Sequence, residues 1–125
     1  MSTVKVNTLT GTSTAGSISV TGEGNSTTTN LQQGLAKSWA FYQSQALTDS
    51  LNVSSVTDVL TGALYINFAN AFSNDDWAGH HTTDNRMPYL QDTRTTVLAY
   101  VINRNSSNSL VDANMGNATF HGDLA

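Results

Sequence analysis

One short stretch of the chain clusters five side chains that could bind a metal ion, namely Asp75, Asp76, His80, His81 and Asp84. Carboxylate oxygens and imidazole nitrogens together bind divalent ions such as zinc, manganese and nickel. The spacing is neither that of the helical H-E-x-x-H motif nor that of the EF-hand loop. Adjacent histidines in a strand also point to opposite faces, which works against joint ligation. We therefore expect a polar surface loop, and no metal or other cofactor.

The residue types that catalysis requires are present, but the arrangement that it requires is not recognisable. Nucleophilic catalysis places a serine beside a base and an orienting carboxylate, and the chain contains no G-x-S-x-G motif. Asp75 and Asp76 are sequence neighbours, whereas glycosidases need two carboxyl groups on either side of a cleft. We expect a protein that is not an enzyme. A metal-dependent enzyme built on His80 and His81 is the weakest alternative.

Two aromatic residues in the same region indicate a contact surface. Trp77 and Tyr89 lie in the polar segment 73–93, which contains Pro88 and many residues typical of loops. Aromatic rings combine a large apolar surface with a polar handle, and their faces stack on the apolar faces of sugars. The candidate ligand contacts are therefore in this loop, at Trp77, Tyr89, His80 and His81.

Length, charge and cysteine content exclude several classes of protein. The chain has 125 residues, enough for one domain, and no cysteine, so it has neither a disulfide framework nor a thiolate metal site. Five basic residues and a net charge of −4 give no footprint for nucleic acid. No apolar run approaches the roughly 20 residues of a membrane helix, and the first residues lack the pattern of a signal peptide. We expect neither nucleic acid nor a membrane as partner.

The composition favours an all-β protein. Threonine, serine and asparagine together supply 45 residues, and these types are poor in helix interiors. Disorder is disfavoured because the net charge is low and the chain contains ten aromatic residues. Charged residues make up 11% of the chain, well below the roughly 25% of an average soluble domain. Such a chain is expected to bury part of its surface against partners.

Residues 34–125 show the alternation expected of β-strands. The clearest strand is 64–69, in which Leu64, Ile66 and Phe68 share one face. Residues 95–103 are nearly continuously apolar and predict a central strand, with a short buried helix as the alternative. Five to seven strands are expected, which matches a small antiparallel β-sandwich of the jelly-roll-like kind. The predicted core residues are Trp39, Phe41, Leu64, Ile66, Phe68, Val97 and Val101.

Other segments predict the connections of this sandwich. The change of phase at Ser54–Ser55 indicates a β-bulge or a break between two strands, and Thr61–Gly62 indicates a turn. Segment 70–93 is expected to be a loop, 103–108 a polar turn, and 115–120 a last strand.

The first 33 residues differ from the rest in containing only six large apolar residues among threonine, serine and glycine. Alternation around Val4 and Val6, and around Ile18 and Val20, predicts short strands. Such strands alone do not bury enough surface to offset a backbone ordering cost of about 1–2 kcal/mol per residue. We expect either a flexible tail or, as the favoured alternative, an extended arm ordered by neighbouring molecules. The predicted attachment residues are Val4, Val6, Leu9, Ile18 and Val20.

Residues 34–77 resemble a domain of structural proteins of tailed bacteriophages, known from marine and environmental phages and associated with tail fibres and virion surfaces. The family pattern reads G-x-A-K-x-W, then D-S-x-N-V-S-S-[IV]-T-D, then T-G-x-Y-x-[IV]-N-F. Segments 34–39 and 49–58 match here, and segment 61–68 keeps T-G and I-N-F but carries its tyrosine one position later, at Tyr65. Ala71–Phe72 and a polar stretch ending at Trp77 follow. Val59–Leu60 replaces a glycine that the family usually carries before the turn, and residues 78–125 match no motif.

The resemblance implies a non-enzymatic structural protein on the virion surface. Because the chain is short, a head fibre, capsid decoration or similar compact appendage is favoured over a long tail fibre. We expect a homo-oligomer, with a trimer favoured, in which arm 1–33 attaches to capsid or tail proteins and sandwich 34–125 displays its loops. The alternative is a tail-fibre tip that binds a host surface glycan.

Overall fold

A computed structural model describes residues 3–12, 18–21, 28–91 and 93–125. The chain divides into two compact units, residues 1–35 and residues 36–125. Within the described ranges the elements are β1 (Ser19–Thr21), β2 (Thr28–Asn30), α1 (Leu31–Gly34), β3 (Ser38–Gln43), β4 (Ala46–Leu51), β5 (Val53–Leu60), β6 (Ala63–Phe68), β7 (Ala78–Thr83), β8 (Met87–Leu90), β9 (Leu98–Arg104) and β10 (Met115–His121).

The second unit is an antiparallel β-sandwich, which confirms the predicted fold class. Its first sheet has the strand order β4-β3-β10-β7, and its second sheet has the order β5-β6-β9-β8. The hairpin β3–β4 lies within the first sheet, and the hairpins β5–β6 and β8–β9 lie within the second. The other connections of the sandwich cross from one sheet to the other. Side chains from the inner faces of both sheets form a single hydrophobic core.

The predicted strand at residues 64–69 is confirmed as β6, and its apolar face is in the core. Leu64, Ile66 and Phe68 are all buried, as is Val101 in the neighbouring strand β9. The Phe68 ring packs edge-on against the rings of Phe72, Trp77 and Phe120, with centroid separations of 4.8, 5.8 and 5.1 Å. Edge-to-face contacts of this kind add about 0.5–1.5 kcal/mol each to the stability gained from burial.

The predicted core face of β3 is wrong by one residue. Ala40 and Tyr42 are buried, whereas Trp39 and Phe41 are only half-buried on the opposite face. Both faces of this strand carry aromatic residues, so alternation alone does not identify the inner one. Tyr42 can point inward because Gly116 opposite it in β10 has no side chain, and a Cβ there would collide with the tyrosine ring.

The prediction that Val97 lies in the core is also wrong. Its side chain is 51% exposed because β9 begins only at Leu98. A turn precedes the strand, in which the Thr95 hydroxyl accepts hydrogen bonds from the backbone N–H groups of Val97 and Leu98. The alternation of buried and exposed side chains that buries Val101 therefore does not extend back to Val97.

The polar segment 70–93 contains two strands, β7 and β8, rather than the predicted loop. The inward positions of β7 are Gly79, His81 and Thr83, so the strand lacks the apolar alternation by which strands are recognised. It is held by backbone pairing with β10 from Gly116↔Thr83 to His121↔Ala78. With these additions the described residues of the sandwich form eight strands instead of the expected five to seven.

The remaining predictions for the sandwich agree with the structure, except that the polar turn expected at 103–108 begins only at residue 105, because Asn103 and Arg104 belong to β9. The register of β5 against β6 shifts between Val53 and Ser55, as the change of phase predicted. Thr61 and Gly62 form the turn between these strands, and Gly62 has a φ of 76°, a conformation that glycine adopts without strain. The last predicted strand is β10, and residues 105–108 form a polar turn.

In the first unit, β1 and β2 form a separate two-stranded antiparallel sheet. The Leu31 N–H donates a hydrogen bond to the Ile18 carbonyl oxygen at 2.8 Å, which joins α1 to the start of this hairpin. The strand predicted around Val4 and Val6 is absent from the described residues 3–12, where the chain has no paired neighbour. Segments 1–2, 13–17 and 22–27 of the predicted arm lie outside the described residues.

Candidate functional site

The acidic and histidine-rich stretch does not form a metal centre in the described part of the chain. There, no group of three or more histidine, aspartate or glutamate side chains is arranged to hold an ion. His80 is exposed on the outer face of β7, and His81 is buried on the inner face, as the alternation of a strand requires. Asp84 accepts a hydrogen bond from the backbone N–H of Met115 at 3.1 Å, which lowers the pKa of its carboxyl.

His81 instead belongs to a buried polar cluster between the sheets. Its Nε2 atom and the Tyr42 hydroxyl are joined by a hydrogen bond of 2.7 Å. Burial lowers the pKa of His81 to about 4, aided by the neighbouring His80, and raises the pKa of Tyr42 to about 12. Both groups are therefore neutral near pH 7. The polar atoms His81 Nδ1, Thr83 Oγ1 and Asn103 Oδ1 are buried without a hydrogen-bond partner.

Trp77 is a core residue, so its prediction as a ligand contact is wrong. Its side chain is 2% exposed and packs edge-on against Phe120 at 5.2 Å. The indole N–H donates a hydrogen bond to the Thr95 carbonyl oxygen at 2.9 Å, which satisfies its one polar group. The Arg94 guanidinium lies over the indole ring, 5.7 Å from its centroid. The polar neighbours of Trp77 in the sequence gave no sign of this burial.

Tyr89, in contrast, is 44% exposed, and lies on a face that carries further tyrosines. It is opposite Ile102 across the β8–β9 pair, and Tyr100 is opposite Tyr65 across the β9–β6 pair. Alternation places these four side chains on the outer face of the second sheet. We name Tyr65, Tyr89, Tyr100 and Ile102 the tyrosine face. The rings of Tyr65 and Tyr100 are 5.1 Å apart and tilted by 55°.

One border of the tyrosine face is formed by amide and hydroxyl groups. Asn67 Nδ2 donates hydrogen bonds of 3.0 Å to Ser55 Oγ and to Thr57 Oγ1, which lie on the adjacent strand β5. These bonds fix the asparagine side chain beside Tyr65, two residues away on the same face of β6. The border is uncharged and supplies both donors and acceptors.

The opposite end of the tyrosine face opens into a cleft that contains two arginines. The cleft has a volume of about 280 Å³ and is lined by Asn85, Arg86, Met87, Arg104 and Ser106, which we name the arginine cleft. Met87 and Arg104 are directly opposite each other in the β8–β9 pair, next to the pair of Tyr89 and Ile102 on the same face. The tyrosine face and the arginine cleft are thus continuous.

Sequence reasoning missed this cleft because it missed the β8–β9 hairpin. Arg86 immediately precedes β8, and Arg104 ends β9. Once the two strands are paired antiparallel, these two arginines necessarily come to the same end of the hairpin. The positions of Arg86 and Arg104 in the sequence are those expected at one end of a hairpin. Pro88 and the polar residues around it, however, favour a loop over a strand.

Comparisons of the chain with protein-family models, with curated proteins and with solved structures give no match. Among the described residues, no helix has the length and apolar character needed to cross a membrane. The function therefore has to be inferred from the residues, from the fold and from the resemblance of segment 34–77.

Proposed function

We propose that this chain is a non-enzymatic structural protein of a tailed bacteriophage, placed on the virion surface as a homo-oligomer. A trimer is the favoured state. Residues 1–33 attach the protein to capsid or tail proteins, or to other copies, and the sandwich projects outward. The resemblance of segment 34–77 supports the phage assignment, and the exposed apolar side chains of the first unit support the mode of attachment.

Those side chains are the observation that carries the proposal. Val4, Val6, Leu9 and Val20 are 84%, 62%, 61% and 51% exposed, whereas Ile18 is half-buried. Fully burying one such side chain is worth about 1.5–3 kcal/mol, so covering several of them stabilises a contact by several kcal/mol per copy. Repetition over many copies on a particle multiplies weak contacts into firm attachment.

The edges of the sandwich support assembly as well. Strands β4, β5, β7 and β8 each have one edge without a neighbour in the sheets described. Monomeric proteins commonly protect such edges with charged residues. Here charged residues make up only 11% of the chain, so pairing or packing between copies is the simpler protection.

Light scattering on the full chain tests this proposal directly. The double variant Val4→Asp/Val6→Asp places charges on the exposed apolar surface of the first unit. Val97→Asp is the matched control because Val97 is similarly exposed but lies in the sandwich. We expect the wild type and the control to have the mass of an oligomer, and the double variant to dissociate or to lose binding to particles. A monomeric wild type that is also absent from purified particles would refute the proposal.

A second candidate function is binding of a host saccharide, and the tyrosine face favours it. The contact lies on the outer face of the second sheet and includes Tyr89, but neither the buried Trp77 nor His81. A glycan array probed with the wild type, Tyr89→Ala and Met115→Ala tests this candidate, since Met115 is comparably exposed on the other sheet. We expect Tyr89→Ala alone to lose binding, and a wild type that binds no glycan would eliminate this candidate.

A further inference from the structure

We propose that the tyrosine face and the arginine cleft form one binding site for an acidic saccharide. Arg86 and Arg104 would bind its carboxylate or phosphate group, and Tyr65, Tyr89 and Tyr100 would contact its sugar rings. This inference rests on the second candidate function, saccharide binding, and adds the charge class of the ligand and the residues that recognise it.

The layout of the hairpin fits a ligand of several sugar units. Along β9, the residues Tyr100, Ile102 and Arg104 share the outer face. At about 3.3 Å per residue, the distance from Tyr100 to Arg104 is about 13 Å. A ligand lying along β9 would therefore contact tyrosine rings at one end and guanidinium groups at the other.

The distribution of positive charge argues for an anionic group. The chain has only five basic residues against nine acidic ones. Nevertheless, two of its three arginines line the same cleft, and no acidic residue is among the lining residues. Two guanidinium groups that line one cleft without an acidic lining residue attract an oxyanion and disfavour a cation or an apolar ligand.

The two arginines are positioned by backbone carbonyl oxygens rather than by carboxylates. Arg86 Nε donates to the Asp112 carbonyl oxygen at 3.4 Å, and one of its terminal nitrogens donates to the Asn85 carbonyl oxygen at 3.1 Å. Arg104 donates to the Asn108 carbonyl oxygen at 2.7 Å. A guanidinium has five N–H donors, so these bonds orient each group and leave most of its donors for a ligand. Guanidinium donors match the oxygens of carboxylate and phosphate in pairs.

The tyrosines supply the part of the site that a simple inorganic anion would not use. Tyr89 is exposed and the Tyr65–Tyr100 pair is half-buried, so their ring surfaces are partly accessible and already ordered by cross-strand packing. Rigid aromatic side chains give contact area at a low entropic cost. The Asn67 Oδ1 atom beside Tyr65 can accept a hydrogen bond from a sugar hydroxyl group, since the amide nitrogen of this side chain already donates to Ser55 and Thr57.

A glycan array containing uronic, sialic and phosphorylated saccharides together with their neutral counterparts tests the inference. The variants are Arg86→Gln, Arg104→Gln and the charge-preserving Arg104→Lys. The control is Arg94→Gln, which removes the same charge outside the cleft, where Arg94 lies over Trp77. Thermal unfolding of each variant shows whether it is folded, and titration with the best acidic saccharide and with inorganic phosphate alone gives dissociation constants.

We expect the wild type to bind acidic saccharides more tightly than their neutral counterparts, and binding to weaken as salt increases. Each glutamine variant is expected to lose about tenfold or more in affinity, with Arg104→Lys between it and the wild type. Arg94→Gln should bind as the wild type does. Equal binding of neutral saccharides, unaffected by the arginine variants, would overturn the inference but keep the saccharide function. Binding of inorganic phosphate as tight as that of the saccharide would overturn the role of the tyrosines. No binding of any saccharide would overturn both this inference and the saccharide-binding function on which it rests.

Discussion

Acidification is expected to destabilise the sandwich through His81, because this histidine is buried in its neutral form. The folded chain holds the pKa of His81 at about 4, whereas an ordinary histidine has a pKa of 6.5. Between these two values the unfolded chain binds a proton that the folded chain does not. The contribution of His81 to the free energy of unfolding is therefore fully present above pH 6.5. It falls as the pH decreases and reaches its lower limit near pH 4.

The size of the effect follows from the difference between the two pKa values. Each unit of difference between the two pKa values corresponds to about 1.36 kcal/mol of unfolding free energy. The full loss of unfolding free energy is therefore about 3 kcal/mol, and the loss between pH 7 and pH 4.5 is about 2.5 kcal/mol. The carboxyl of Asp84 also has a lowered pKa, so its contribution is lost only as the pH falls below 3.8. A comparison at pH 7 and pH 4.5 therefore reports on His81 largely without Asp84.

Urea unfolding followed by tryptophan fluorescence measures this loss, since Trp77 is buried in the core. His81→Gln removes the titrating group and keeps an acceptor for the Tyr42 hydroxyl, so its stability should change little between pH 7 and pH 4.5 beyond what other groups contribute. His80→Gln is the matched control and should keep most of the wild-type pH dependence, because burial is the larger cause of the lowered pKa of His81 and His80 the smaller one. Equal stability of the wild type at both pH values, or loss of the dependence in His80→Gln alone, would rule out His81 as the group through which acid destabilises the sandwich.

Three further predictions concern the Tyr42 hydroxyl, which is hydrogen-bonded to His81, and the packing around Ile66 and Gly116. Because burial raises the pKa of Tyr42 to about 12, the unfolded chain ionises first, and stability should fall by about 2–3 kcal/mol between pH 10 and pH 12. Ile66→Ala removes a fully buried side chain and should cost about 2–5 kcal/mol in urea unfolding. Gly116→Ala places a Cβ against the Tyr42 ring and should lower the melting temperature through a cost of about 1–3 kcal/mol.

Each of these predictions has a control within the chain. Tyr42→Phe should flatten the stability curve above pH 10, and an unchanged curve would show that another group titrates there. Leu60→Ala, at an exposed position, should cost much less than Ile66→Ala, and equal costs would contradict the assigned core. Gly34→Ala meets only the Thr29 Cγ2 atom at 3.9 Å, so a loss as large as that of Gly116→Ala would contradict the packing argument.

The sequence predicted those elements in which apolar alternation is unambiguous. Leu64, Ile66 and Phe68 alternate with partly polar positions, and strand β6 followed directly from them. Strand β3 has aromatic residues on both faces, so its inner face depended on a partner distant in sequence, the glycine at position 116. Strand β7 turns glycine, histidine and threonine inward, and such a strand is specified by pairing with β10 rather than by its own pattern.

The candidate site was predictable only in part for the same reason. Tyr89 is predictable from its residue type, whereas its neighbours Tyr65 and Tyr100 lie 24 and 11 positions away in the chain and join it through sheet pairing. Trp77 was misassigned because its polar sequence neighbours do not reveal the aromatic core around it. Arg86 and Arg104 became neighbours only through the hairpin that the sequence did not indicate.

The function that we propose places this chain in many copies on the surface of a virus particle. Electron microscopy of purified particles, from a host culture that produces the chain, tests this claim with a gold-labelled antibody against the sandwich. We predict labels repeated over the outside of the head or the tail, and their loss when Val4 and Val6 are replaced by aspartate. Purified particles without any label, with the chain remaining entirely in the host lysate, would contradict the account.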